Sequence, residues 1–294
     1  MFDILTVTYQ FSGGGESLRQ GKLNAAREEG TVRMEEERGD LGPLLVEQFR
    51  EQMNNLAAAI QLLTPVVREK GGEQYEPYLA ILYQSLYRMM RMLGNVEYLE
   101  LDRCGQPEGK REILDLAGLC RTLAGQVSGL TEQAGVSFAY EEERSSLLLQ
   151  GDGRMLRRML LGLIANAVKA AGKGGQAGLR LAVRQDRAVL TVWDNGPGLR
   201  PPEEHGLLTR SGGPGLGLRV ARSIAAGHGG TIVLQQQEDR GCRAVVSLPI
   251  KPPQSGGELH TPGMGYDGSG GFSDLLMELA GVLPYQAFLP GALE

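Results

Sequence analysis

The sequence predicts an α+β chain, a helical hairpin followed by an α/β sandwich, and three observations carry that expectation. Over 41–104 apolar residues recur in steps of four and three, the spacing of one helix face. From about 110 to 250 helical and strand-like patterns intermingle, as they do in a mixed sheet with helices on one face. Inside that second region stands a glycine-rich stretch, WDNGPGLRPPEEHGLLTRSGGPGLGL over 193–218. It is entered from the strand-like AVLTVW and left through the helical LRVARSIAAG.

Taken in order, residues 1–40 hold a short apolar opening, SGGGE and a charged run, and read as an N-terminal linker or solvated helix without chemistry. The first helical stripe is Leu45, Phe49, Met53, Leu56, Ile60, Leu63 and Val67. A break follows at EKGGEQYEP, where Pro77 suits a first helical turn. The second stripe is Leu79, Leu82, Leu86, Met89, Leu93 and Val96. Two long helices joined by a glycine-containing turn make an antiparallel hairpin. One hairpin has few ways to bury both stripes, so 41–104 is expected to pair with a second copy as a four-helix bundle. The alternative is a hairpin packed on its own C-terminal domain.

CGQPEGK (104–110) reads as a hinge, and the domain expected after it spans 110–250. It opens with a helix from Ile113, then strands VSFAYEEE and SSLLLQG. A helix begins at about Asp152, whose carboxylate suits an N-cap. GLRLAVRQ and AVLTVWD form a hairpin turning at QDR, and GTIVLQQQ with CRAVVSLPI forms the last strand pair. Residues 251–294 read as a tail, flexible by composition over 251–271. It ends in a short helix whose face is Phe272, Leu275, Leu276, Leu279 and Leu283, expected to dock on the protein's own surface.

A formal charge of −5 argues against nucleic acid or an anionic membrane as the main partner. Cys104, Cys120 and Cys242 have no metal-ligand spacing and fit reduced thiols. No apolar run approaches the roughly 20 residues of a membrane span, and the start lacks the features of a signal peptide. A cytoplasmic protein is the expectation.

Glycine admits positive φ and lets an anion approach main-chain N–H groups, and a helix starting after such a loop offers its dipole to phosphate. The stretch 193–218 therefore reads as a nucleotide site, with Asp194 ready to accept a hydrogen bond. The order of parts around it is more specific than the glycines. Asn166-Ala167-Val168-Lys169 on a helix is followed by a hairpin, then Asp194-Asn195-Gly196-Pro197-Gly198 and a loop. Next come Gly213-Pro214-Gly215-Leu216-Gly217-Leu218 and, closing the following helix, His228-Gly229-Gly230. Over roughly 113–250 this set resembles the ATP-binding domain of sensor histidine kinases and their superfamily of gyrase, heat-shock chaperone and mismatch-repair ATPases. No GxxxxGK[ST] motif is present.

The resemblance implies ATP and Mg²⁺ as cofactors. Asn166 looks like the Mg²⁺ ligand, a role that suits an oxygen donor sharing a hard cation with phosphates and water. Lys169, one turn on, looks like a phosphate contact, and Asp194 like the reader of the adenine amine. Gly196 and Gly198 would leave room beside the base. Gly213, Gly215 and Gly217 look like the phosphate loop, with Leu216 and Leu218 anchoring the next helix, and Arg210 is a candidate lid contact.

Departures from the family pattern matter equally. Gyrase-type ATPases carry a water-activating glutamate, and many kinases a second asparagine, where this chain has Gly162. The lid, 199–211, has no phenylalanine, and Leu207, Leu208 and Arg210 are its only obvious substitutes. FREQMNNLAAAI resembles the first dimerisation helix of such kinases, yet Arg50 and Glu51 stand where the phosphoacceptor histidine is expected. All three histidines lie elsewhere: His205 in the lid, His228 in a turn where packing is the better role, and His260 in the tail. The expected function is a dimeric Mg–ATP-binding signalling protein, with any phosphotransfer directed to a partner such as a response regulator. The alternatives are a catalytically silent ATP-dependent switch or scaffold and, disfavoured by the long hairpin, a serine kinase of the anti-sigma type.

Overall fold

The structure is a computed structural model that describes residues 16–105, 111–198, 215–237, 240–250, 259–260 and 272–289. The chain divides into two compact units, 1–47 and 48–294. Helix α1 spans Glu16–Gly71, so the described part of the expected linker or solvated helix is helical.

Within the second unit Gly72, at φ 75°, ends α1, and a short 3₁₀ turn over Glu73–Tyr75 leads into α2 (Glu76–Arg103), which carries Pro77 in its first turn. The hairpin is thus the one the stripes predict, but each stripe splits lengthwise. Ile60, Leu79 and Leu86 are buried, with Ala57, Ala80, Tyr83 and Tyr87 beside them. Phe49, Leu56 and Leu63 stay exposed at seven-residue spacing, as do Leu82, Met89 and Val96. Phe49 is 62% accessible and Leu63 56%, so an apolar seam runs along the hairpin uncovered. Polar links fix the helices to each other: Thr64 Oγ1 lies 3.0 Å from Tyr83 Oη, and Arg50 pairs with Glu97.

The second unit continues with β1 (Glu112–Asp115), α3 (Leu116–Gln133), β2 (Ser137–Glu142), β3 (Leu148–Gly151), α4 (Gly153–Ala171), β4 (Gln176–Arg184) and β5 (Arg187–Asp194). It ends with α5 (Leu216–Gly227), β6 (Thr231–Gln236), β7 (Cys242–Pro249), β8 (Leu259–His260) and α6 (Asp274–Leu279). Five strands form the main sheet in the order β2-β4-β5-β7-β6, with only β2 and β4 parallel. Along β5 every second residue is buried: Ala188, Leu190, Val192 and Asp194. Their shared face meets the apolar sides of α4 and α5, among them Leu160, Ile164, Val168, Val220 and Ile224. One helix-covered face is the expected sandwich.

Two expectations are corrected. Residues Ile113–Asp115 belong to β1, not to the following helix, and pair with β3 in a separate small sheet. The reason is Asp115: its Oδ1 accepts the N–H groups of Ala117 at 3.1 Å and Leu147 at 2.8 Å, so it is the N-cap and the helix starts after it. In the tail, where composition predicted no regular structure, Leu259–His260 pairs with β1 as a parallel strand. The remainder of 251–271 lies outside the described residues.

The C-terminal segment 272–289 docks on α2 and α4. Phe272 and Phe288 close on Tyr87, with ring centroids 5.3 and 5.4 Å away. Gln84 Nε2 donates to the carbonyls of Leu283 (2.7 Å) and Ala280 (3.3 Å), and Arg88 Nε donates to Ala280 O at 2.8 Å. Glu278 sits between Arg91 (2.8 Å) and Arg158 (3.8 Å). Among the described residues no helix is long and apolar enough to cross a membrane.

Candidate nucleotide site

Asp194 is the last residue of β5, and the strand's alternation sends its carboxylate to the helix-covered side, where it is 4% accessible. Burial without a cation raises its pKa, and backbone bonds from Gly196 and Cys242 oppose that shift. The Gly196 bond to Oδ1 measures 2.9 Å. A carboxylate offers about four lone-pair positions, so one further donor can be accepted there.

The backbone around it admits almost no side chains. A Cβ on Gly196 would stand 2.2 Å from the Ala170 carbonyl, so this glycine lets the loop press on the end of α4. Gly241 adopts φ 99°, and a Cβ there would stand 1.9 Å from the Asp194 carbonyl. Gln237 Nε2 donates to that same carbonyl at 3.1 Å. Asn195 Oδ1 accepts the N–H of Gln176 at 2.8 Å, tying the loop to the start of β4.

Asn166 and Lys169 are both exposed on α4, three residues apart and so on one face. Burial lowers the pKa of Lys169, and Arg91 and Arg88 lower it further. Gly215 stands at φ 71° as the N-cap of α5, and no side chain caps the helix among the described residues. Its first N–H groups therefore remain available to an anion.

These features fit a nucleotide: an acceptor for a base on a loop packed tightly against α4, an amide oxygen for a metal shared with phosphates, a cation and a helix N-terminus. Among the described residues no group of three or more His, Cys, Asp or Glu could hold a metal. A cavity of about 510 Å³, lined by Met53, Met90, Arg91, Arg158, Met277 and Glu278 among others, lies beside the first half of α4 and does not include Asp194 or Asn166.

A family model described as "Histidine kinase-, DNA gyrase B-, and HSP90-like ATPase" matches residues 151–252. Residues 151–252 thus form a histidine kinase-like ATPase domain. The sensor protein KdpD of Escherichia coli K12 is 27% identical over 256 residues, covering 83% of this chain and 28% of KdpD. Sporulation kinase A of Bacillus subtilis 168 is 28% identical over 224 residues, covering 72% of this chain and 35% of that kinase. The chain thus spans about a third of the length of these relatives. Among solved structures, full-length ShkA in complex with AMPPNP shares the fold, at TM-score 0.58 and 23% identity, over 72% of this chain and 46% of that one.

Of the family residues expected from the sequence, Asp194, Gly196 and Gly198 lie together at the end of β5, beside the end of α4 that bears Asn166 and Lys169. Gly215, Leu216, Gly217 and Leu218 form the start of α5. Gly213, Arg210 and His205 lie outside the described residues. Sequence reasoning missed Gly241 and Gln237, whose only signal is a glycine between two strand patterns. It also missed Arg88 and Arg91, which stood inside a stripe read only for its apolar members.

His228 plays the packing role expected of it. Its Nε2 accepts the Asp152 N–H at 3.0 Å, so the proton sits on Nδ1, which donates to the Ile224 carbonyl at 2.7 Å. The ring thereby joins the end of α5 to the residue that caps α4. Burial is the main cause of its lowered pKa, with Arg111 adding to the shift and Asp152 opposing it. Unfolded chain takes up this proton near pH 6.5, folded chain at lower pH, so the stabilisation is complete above about 6.5 and declines as pH falls below it. Melting curves between pH 7 and 5 should fall more steeply for the native protein than for His228→Gln, by up to about 1.4 kcal/mol per pH unit. Parallel curves would contradict the assignment.

Proposed function

We propose that this chain, histidine kinase-like over 151–252, binds Mg–ATP at the site organised by Asp194, and the buried carboxylate at the end of β5, beside the end of α4 that exposes Asn166 and Lys169, is the observation that carries the reading. Asp194 accepts the adenine amine, and Gly196 and Gly198 flank the base. Asn166 supplies an oxygen to Mg²⁺, and Lys169 meets phosphate charge. Gly213, Gly215, Leu216, Gly217 and Leu218 form the phosphate loop, with Arg210 reaching from the lid. The bound metal would neutralise phosphate charge during transfer, and the chain's own task is to position the nucleotide and exclude water. The ShkA structure, solved in complex with AMPPNP, supports this reading. We place the protein in the cytoplasm, with its ATP-binding domain at 110–250.

In calorimetry with Mg–ATP, Asp194→Asn and Asn166→Ala should each lose about 1.5–3 kcal/mol of binding, roughly tenfold or more. Affinities equal to the native protein's would refute the residue roles.

The hairpin 41–104 forms a homodimer through the seam of Phe49, Leu56, Leu63, Leu82, Met89 and Val96, as a four-helix bundle. Light scattering on the intact chain should give twice the chain mass, and Leu56→Glu with Leu63→Glu should give a monomer. A monomeric native protein at tens of micromolar would reject the dimer.

Phosphotransfer, where it occurs, goes to a partner such as a response regulator, because Arg50 and Glu51 replace the acceptor histidine. That same replacement favours a second reading, a catalytically silent switch whose ATP-bound and empty forms differ in partner binding. Incubation with γ-labelled ATP separates them. Label on an added response regulator supports transfer, and intact ATP binding without label supports the switch. Label on this chain that survives base but not acid would contradict both.

A further inference from the structure

Arg91 lies on the hairpin, yet its side chain is directed at the ATP-binding domain. Its Nε donates to Glu278 Oε2 at 2.8 Å, which fixes the guanidinium plane. Its Nη2 lies 3.8 Å from where a Cβ on Gly217 would stand, in the first turn of α5. Among the described residues Nη1 and Nη2 make no hydrogen bond; Nη1 lies 3.7 Å from where a Cβ on Gly281 would stand, so it is Nη2 that faces the start of that helix with its donors open. The side chain is 19% exposed, so its charge is only partly screened by water.

Arg91 does not stand alone. Arg88, one turn earlier on α2, is anchored by its Nε to Ala280 O. Lys169 of α4 faces the same space closely enough that both arginines disfavour its charged form. Arg91 is the cation observed at the start of α5, Arg88 and Lys169 are close enough to add to the positive field, and Glu278 is the carboxylate placed against Arg91. Clustered like charges repel, and an arriving polyanion relieves that repulsion while satisfying the open Nη2 donors.

We propose that Arg91 is a phosphate-binding residue which the hairpin helix α2 contributes to the nucleotide site, held in orientation by Glu278 of the C-terminal segment. The proposal rests on the Mg–ATP reading and deepens it. Bound phosphates then bridge the hairpin and the ATP-binding domain. Nucleotide occupancy favours the docked arrangement of α2, and anything that shifts α2 alters ATP affinity by the same factor. Such coupling gives a chain without an acceptor histidine an ATP-dependent output.

The test uses the intact chain and a fluorescent ATP analogue displaced by Mg–ATP or by AMP. Arg91→Gln keeps a donor for Glu278 but removes the charge and the fork. Arg91→Lys keeps the charge alone, and Arg103→Ala, an exposed change on the same helix, is the control. Arg91→Gln should weaken ATP at least roughly tenfold while AMP affinity stays within about twofold, with Arg91→Lys intermediate and Arg103→Ala unchanged. An unaltered ratio of ATP to AMP affinity in both Arg91 variants would overturn the proposal, as would equal loss of both ligands, the mark of a structural role. Failure of the native protein to bind ATP would refute the underlying nucleotide reading instead.

Discussion

A carboxylate held out of water at the end of β5 is the constraint on which the site depends. Desolvation pushes Asp194 toward its neutral form, and only close backbone donors keep the ionised form accessible. Those donors reach it because Gly196 and Gly241 carry no Cβ where one would strike a carbonyl. Gly196 in turn presses against the last turn of α4, which fixes the distance between the Asp194 loop and the helix bearing Asn166 and Lys169. The position of one acid therefore sets the position of the loop, the helix end and the surrounding strands.

The hairpin and its C-terminal cover form the other half of the unit. Segment 272–289 buries Phe272, Leu276, Leu279, Leu283 and Phe288 and places one acid, Glu278, between arginines of α2 and α4. Removing either partner of such a network leaves a charge with little water around it, so the docking is specific as well as apolar. The carboxylate also lies over Gly162, 3.9 Å from where a Cβ there would stand. Gly162 departs from the family pattern, and at that helix position the chain places an acid from a remote segment against its own arginines.

The parts legible in the sequence were those with local signals. Periodicity located both helices of the hairpin, and local patterns located α4, the end of β5 and the start of α5. Periodicity did not say which edge of each stripe is covered, because Ile60 and Leu63 are equally apolar and only tertiary packing separates them. Ile113 read as helix because the apolar run continues past Asp115, and the cap that ends β1 became evident only from its bonds to Ala117 and Leu147. Arg91 and Glu278 are 187 residues apart, and no local pattern encodes their meeting. Gly241 was similarly hidden, since its function is to leave space beside a carbonyl of another strand.

On the proposed Mg–ATP reading, a nucleotide occupies the space between the Asp194 loop, the outer face of α4 and the start of α5. Hydrogen exchange of the intact chain with and without Mg–ATP reads that location directly, because bound ligand suppresses local opening where it makes contact. Slowed exchange at 194–198 and 215–218, with α2 around Arg91 slowed in the same samples, is the predicted result. Unchanged exchange in these segments at saturating nucleotide, or protection confined to the cavity beside the first half of α4, would contradict it.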